Sequence, residues 1–404
     1  MDTMQIQLPT SLRARTPAET LGLIETVANL QRIGVKEVAT HTLDEIQSIP
    51  IYEAIRDPSH RSDYFCLGKG FDPEHSKVSC LMEATEMSLI EQRAISTDKT
   101  FSELDPSALI YRRTWPQPIQ KSQCCEVSKD NFRVYASKDI RSGETIYLVE
   151  QDIFYFAGNP KSANGPTTNG LASGNTREEA IIHGVCELIE RDAMHEWGRR
   201  QLLHKHQVVT SEYTGPKISA ILQKSLDEIF AAGYHVYLTR LPSEHHCYVY
   251  EAGLIRCKDG LTAAVFSGWG AHPLESIAMN RSVAEAVQIL AMHYAVMNNA
   301  IPEARLPGTT TAHRRASRML GNQKVFERTL DRSFQNMSTQ LWQLWYGPSP
   351  NWHDVDPTKH YSELLKPVTK KGKHFCASLN LAPDDFPFFA QLTICSNLNT
   401  PPGL

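Results

Sequence analysis

The run Asn169-Gly-Leu-Ala-Ser-Gly-Asn-Thr-Arg-Glu-Glu-Ala180 and the segment Glu187-Leu-Ile-Glu190-Arg191-Asp192 behind it constrain this 404-residue chain more than any other feature. Glycines at 170 and 174 let the backbone approach a ligand closely. Asn175-Thr176 stands where a helix N-cap belongs, with Glu178-Glu179 in the first turn. The pattern demands an Asn/Gly/Thr-rich loop over 158–175 that feeds a helix from about Thr176 to Leu203, and free N–H groups at a helix start favour anions. On that helix Glu187, Glu190 and Arg191 fall at i, i+3 and i+4 and share a face. Their neighbours Ile181, Ile182, Val185, Leu188 and Ile189 are apolar, and burying charge among them is costly unless a metal or counter-charge compensates. Taken alone, a solvated face with a Glu–Arg pair worth a few tenths of a kcal/mol is an equal reading.

Two other helical segments repeat the theme. Between about Glu74 and Arg93, Glu83 and Glu86 lie at i, i+3 while Val78, Leu81, Met82, Leu89 and Ile90 supply a core side. From about Pro273 to Met297, Arg281 and Glu285 lie at i, i+4, with Gln288 a turn further on. Three helices offering carboxylates, with no His/Cys ligand set beside them, select Mg²⁺ or Ca²⁺ over zinc. Around them the spacing predicts a helix over 17–33 opened by Pro17, strands near 35–40 and 49–56, and a Gly68-Lys69-Gly70 turn. Strands follow at 132–135, 146–156, 234–239, 247–254 and 262–267, with a helix near 216–231. A Pro/Gly/Thr-rich connection spans 301–313, and a basic segment follows at 313–332.

The net charge of -4 gives no electrostatic case for nucleic acid. The N-terminal residues lack a signal-peptide pattern, and no apolar run approaches the roughly 20 residues of a spanning helix, so a cytoplasmic protein without a membrane partner is expected. Nine cysteines without C-x-x-C spacing argue against structural zinc and against a disulfide framework. Ordinary thiols are the favoured reading of Cys124-Cys125. Glu244-His245-His246-Cys247, His204-Lys-His206 and the basic run at His313-Arg-Arg315 are better read as solvated side chains than as sites.

In this order the motifs resemble the YcaO domain, the ATP-dependent enzymes that phosphorylate a peptide-backbone amide oxygen. The resemblance covers 13–290 and rests on Arg13-x-Arg-Thr-Pro-Ala-Glu-Thr20, Leu43-Asp44, Ile49-Pro50, Ile55-Arg56, Gly68-Lys69-Gly70, Glu83-x-x-Glu86, Gly170 through Asp192, and Arg281-x-x-x-Glu285-x-x-Gln288. It implies an α/β (α+β) fold with mixed sheets and helices around an acidic ATP/Mg cleft, a YcaO domain over 1–300, and a C-terminal extension over 301–404 that packs on or continues it. By that likeness Glu83, Glu86, Glu179, Glu187, Glu190 and Glu285 organise Mg²⁺. Arg13, Thr20, Asn175, Arg191 and Arg281 contact the nucleotide, with Arg15 an equal candidate to Arg13. Glu187, Glu190 and Arg191 carry the catalytic role. Two departures stand out. Met87 replaces an Arg common in the family, and the end Thr400-Pro-Pro-Gly-Leu404 lacks the Pro-x-Pro-x-Pro tail of many azoline-forming members.

The implied cofactors are ATP and Mg²⁺, and the implied substrate is a precursor peptide or protein. A TfuA-like partner would deliver sulfur, or an E1-like partner would recognise a leader peptide; a homodimer is left open. The Thr20 and Leu-Asp…Ile-Pro…Ile-Arg pattern and the missing tail favour thioamide formation over cyclodehydration of Cys, Ser or Thr. A nucleotide-binding regulatory subunit without turnover, and a carboxylate-dependent metallohydrolase unrelated to ATP, are the readings from other classes.

Overall fold

Asp72 and Pro73 begin the helix that organises one side of the molecule: the Asp72 carboxylate accepts from the His75 N–H, and Pro73 needs no donor in the first turn. The structure is a computed structural model. It describes residues 6–57, 65–96, 98–112, 117–124, 132–154, 168–203, 218–241, 247–258, 261–297, 344–346 and 376–396, with a few single positions beside them. The helices are α1 (Pro17–Ile24), α2 (Val27–Arg32), α3 (Pro73–Ile95), α4 (Glu150–Ile153), α5 (Arg177–Leu203), α6 (Ala220–Ala231) and α7 (Glu275–Met297). The 301–313 connection, the 313–332 segment and His204-Lys-His206 lie outside the described residues.

Four sheets surround the long helices. The largest orders its strands 171–174, 389–395, 376–380, 133–139, 145–149, 109–111 and 119–120, with 99–100 added against 133–139. It is antiparallel except where 145–149 runs parallel to 109–111. Strands 376–380 and 389–395 therefore sit between two much earlier strands, 133–139 and 171–174. A four-stranded sheet (261–272, 248–258, 235–241, 344–346), a three-stranded sheet (35–40, 51–56, 65–69) and an N-terminal hairpin (6–8 with 11–13) complete the fold. This mixed α/β architecture is the one expected.

Helix α3 packs on strands 51–56 and 65–69 and reaches 171–174; α5 lies on 389–395 and 171–174 and touches 261–272; α7 lies on 261–272 and 248–258. Each is sandwiched, so α3 buries Ser76, Cys80, Leu81, Ala84, Thr85, Ser88 and Leu89 around much of its circumference. Small side chains permit the approach. A Cβ on Gly268 would lie 2.2 Å from the Ala286 backbone N and 2.6 Å from the Glu285 carbonyl carbon. Gly170 needs its lack of a side chain twice: φ is +84°, and a Cβ would meet the Thr393 carbonyl oxygen at 2.2 Å.

Local expectations are corrected at four places. The helix over 17–33 is two helices, because Thr26 caps a new start by accepting from the Asn29 N–H. Gly68-Lys69 is not a turn but the end of strand 65–69, with Gly68 pressed against Ser76 and Cys80 of α3. The strand over 146–156 ends at Val149, where α4 starts. The loop over 158–175 closes on a buried strand, Leu171–Gly174, which pairs with 389–395.

Candidate active site

Helices α3, α5 and α7 meet beside the N-terminal hairpin around a cleft of about 430 Å³, within the usual size of small-molecule sites. The Thr176 hydroxyl accepts from the Glu179 N–H and starts α5, and its regular turns then aim His183, Glu187, Glu190 and Arg191 into the cleft. α3 contributes Glu83 and Glu86, and α7 contributes Arg281, Glu285 and Gln288. Arg13, Thr20 and Asn175 line the same space.

Three of the carboxylates accept specific hydrogen bonds, and the other two stand beside a cation. The Leu67 N–H donates to Glu83 Oε2 at 3.0 Å, and the Gly170 N–H to Glu187 Oε2 at 3.1 Å. Glu86 Oε1 accepts from both the N–H and the hydroxyl of Ser173, each at 2.7 Å. Arg191 stands 3.7 Å from Glu187 and 3.8 Å from Glu190, and Lys69 is 3.5 Å from Glu285. Thr20 Oγ1 lies 3.1 Å from Asn175 Oδ1 and 3.0 Å from the Thr16 carbonyl.

Burial is the main force on these acids. It pushes Glu83 and Glu190 up to about 7 and Glu86 to about 8, and it raises Glu187 as well. Repulsion adds to this: Glu187 and Glu285 raise both Glu83 and Glu190, and Glu285 raises Glu187, while Lys69, Arg191 and Arg281 pull the other way. Three acids poised near neutrality around one cleft, with Glu187 raised beside them, create a demand for positive charge that the resident cations do not fill.

Glu179 is placed differently. One oxygen accepts from the Asn175 N–H at 2.8 Å, the other from the Ala14 N–H, and Arg13 lies 3.6 Å away. It fastens the N-terminal strand to the start of α5 and lines an adjoining cavity of about 30 Å³ rather than the main cleft. Sequence reasoning missed Lys69, Ser173, His75 and His183 as cleft residues. His183 carried a signal, since it falls four residues after Glu179 and four before Glu187. Ser173 carried none, because its partner is 87 residues away.

The residues suit a metal–nucleotide pair. Among the described residues no group of three His, Cys, Asp or Glu side chains is gathered tightly enough to hold an ion alone. Mg²⁺ does not need such a cage, since it takes one or two carboxylates together with phosphate oxygens and water. Arg15 Nη1, Ser11 Oγ and His75 Nδ1 line the cleft buried and without hydrogen-bond partners among the described residues. Such groups call for a polar ligand.

Residues 67–397 match a family model described as "YcaO cyclodehydratase, ATP-ad Mg2+-binding". A protein of Rhizobium leguminosarum bv. trifolii described as uncharacterized and lying "in tfuA 3'region" is 28% identical over 289 residues, 68% of this chain and 66% of that one. An uncharacterized protein of Methanothermobacter thermautotrophicus is 30% identical over 288 residues, 68% of this chain and 70% of its own. The match thus spans about two thirds of each relative. Among solved structures, YcaO from Methanopyrus kandleri bound with AMPPCP and Mg²⁺ superposes with a TM-score of 0.68 at 20% identity, covering 97% of this chain and 93% of that one. The Escherichia coli microcin synthetase McbBCD complex with pro-MccB17 bound gives 0.57 at 12% identity, covering 89% and 88%.

Proposed function

The chain belongs to the YcaO family of ATP- and Mg²⁺-binding enzymes, and from that premise we propose that it activates a peptide-backbone amide with ATP and replaces the amide oxygen by sulfur. The observation that carries the ATP half is the convergence of Glu83, Glu86, Glu187, Glu190 and Glu285 from three helices on one cleft lined by Lys69, Arg191 and Arg281. Support for the sulfur half is the relative from the tfuA 3' region together with Thr20 and the Leu43-Asp44…Ile49-Pro50…Ile55-Arg56 pattern. A TfuA-like protein is the proposed sulfur-delivering partner, and the proposed substrate is a ribosomal peptide or protein. Among the described residues no helix is long and apolar enough to cross a membrane, and a cytoplasmic site of action is part of the proposal.

When bound, Mg·ATP supplies a phosphoryl group that turns the amide oxygen from a poor leaving group into phosphate. The chain's own residues do the positioning. Glu83, Glu86, Glu187, Glu190 and Glu285 would hold Mg²⁺, and of these Glu83, Glu86 and Glu190 would give up protons near neutral pH to do so. Arg191, Arg281 and Lys69 oppose negative charge on phosphate oxygens. Arg13, Arg15, Thr20 and Asn175 face the nucleotide from the N-terminal side, and Glu179 keeps that side docked. In the overall exchange sulfide contributes sulfur to the carbonyl carbon, the amide oxygen leaves within phosphate, and no oxidant or reductant is consumed.

The test is a reaction of the purified chain with Mg·ATP, sulfide, a TfuA-like partner and candidate peptides, read by ADP release and peptide mass. Exchange of one oxygen for one sulfur supports the proposal. Loss of one water would instead give the azoline product, the reading favoured by the family description. ATP binding without turnover under any pairing would leave a regulatory subunit.

A further inference from the structure

Arg281 of α7 and His183 of α5 meet at 2.8 Å, guanidinium Nη2 to ring Nε2. A guanidinium can only donate, so Nε2 accepts and the ring proton sits on Nδ1. Burial first, then the positive charges of Arg281, Arg13, Lys69 and His272, hold the ring's pKa well below its usual value and keep it neutral. This tautomer carries a cost. Nδ1 is buried and has no hydrogen-bond partner among the described residues. A methionine or leucine would fill the space without that cost, so the reason for a histidine lies at Nε2.

Charge placement around Arg281 makes the same point. It lines the same cleft as Glu187 and Glu190, its charge acts against the rise of both, and Glu285 is one turn away on its own helix. Arg191 pairs with Glu187 and Glu190, Lys69 with Glu285, and Arg13 with Glu179. Among the described residues Arg281 forms no ion pair; its hydrogen bond goes to an uncharged ring.

We propose that His183 is a positioning residue which, by accepting from Arg281, holds that guanidinium off the glutamates, leaving its charge for a phosphate group and their oxygens for Mg²⁺. The proposal rests on the Mg·ATP reading of the cleft. A side chain that merely packed would leave Arg281 free to swing onto Glu187 or Glu285, cancelling a cation and a metal ligand at once.

Calorimetric binding of Mg·AMPPCP separates the possibilities, with thermal melts to establish folding. His183→Gln keeps an accepting oxygen and should bind within about threefold of the unsubstituted protein. His183→Met replaces the ring nitrogen with a thioether, only a weak acceptor, and should weaken binding about tenfold, the size of one charge-assisted hydrogen bond. His183→Phe repeats that comparison if the methionine variant does not fold. In an Arg281→Ala background the His183→Met loss should vanish. Unchanged binding in His183→Met, equal losses in the Gln and Met variants, or losses that add in full with Arg281→Ala would each overturn the proposal. Failure of the unsubstituted protein to bind Mg·AMPPCP would instead overturn the Mg·ATP reading, and this proposal with it.

Discussion

Glu86→Gln should stabilise the ligand-free protein at alkaline pH while removing its response to Mg·nucleotide. Burial is the largest cause that moves the Glu86 carboxyl from 4.5 to about 8, opposed by the Ser173 hydroxyl and reinforced by Glu83 and Glu187. Unfolded, the group titrates near 4.5. Between that value and about 8 the native state holds a proton that the unfolded state has released, so stability falls as pH rises. The favourable contribution is complete below the unfolded value and lost above about 8. At about 1.4 kcal/mol per pH unit the ceiling is about 5 kcal/mol. Glu86 is half-buried rather than sealed, so roughly 2 kcal/mol is the expected share. Glutamine keeps an acceptor for Ser173 and never ionises. With an unfolding entropy of roughly 2.1 cal/mol/K per residue, a chain of this length should gain about 2–3 °C in Tm at about pH 8 and nothing at about pH 5. Calorimetric melts at both pH values, with and without Mg·AMPPCP, read this directly. An equal effect at the two pH values, or an unimpaired Tm rise with Mg·AMPPCP, would refute the reasoning.

Four further outcomes are expected. Glu190→Gln and Arg191→Ala should each lower ATP turnover by about 10² or more while circular dichroism stays unchanged; turnover like the unsubstituted protein in both would remove α5 from the site. Gly268→Ala should cost about 1–3 kcal/mol by overpacking and lower turnover too, because the new Cβ strikes the backbone at Glu285 and Ala286; Gly22→Ala, with nothing within 4 Å, should be neutral or stabilising by about 0.5–1 kcal/mol, as denaturant titration will show. Glu179→Ala should destabilise by about 1–3 kcal/mol through the orphaned Asn175 and Ala14 N–H groups, with a lowered Tm in ligand-free protein. Ser173→Ala should weaken Mg²⁺ activation more than it lowers Tm, since it removes one of the two Ser173 donors that hold Glu86 at the cleft wall; a Tm loss without a shifted Mg²⁺ requirement would contradict this.

What could be read from sequence was whatever repeats along one helix. Glu187, Glu190 and Arg191 announced a shared face by their spacing, as did Glu83 with Glu86 and Arg281 with Glu285, and all line the cleft. Their environment was harder to see, because α3 and α5 are covered on several sides and lack the single apolar stripe of a surface helix. Lys69 was hidden in a Gly-Lys-Gly string that resembles a turn; its glycines serve instead to press the strand against α3. The tie from Glu179 to the Ala14 N–H could not be seen in advance, because the two lie 165 residues apart. The pairing of Leu171–Gly174 with 389–395 likewise spans more than two hundred residues, and no local pattern encodes it.

That pairing has a consequence for how the protein is made. Strand Leu171–Gly174, which carries the Ser173 donors to Glu86 and leads into Asn175, has 389–395 as its only sheet neighbour among the described residues. Until strands 376–380 and 389–395 both emerge from the ribosome, one edge of 133–139 stays open and 171–174 has nothing to pair with. A nascent chain of 370 residues would already contain every glutamate of the site yet be unable to assemble it. It would also present an unpaired strand edge to other chains. Activity should therefore arrive all at once, after the last strands are threaded, and unfinished chains should depend on chaperones in proportion to how long synthesis stalls before residue 376.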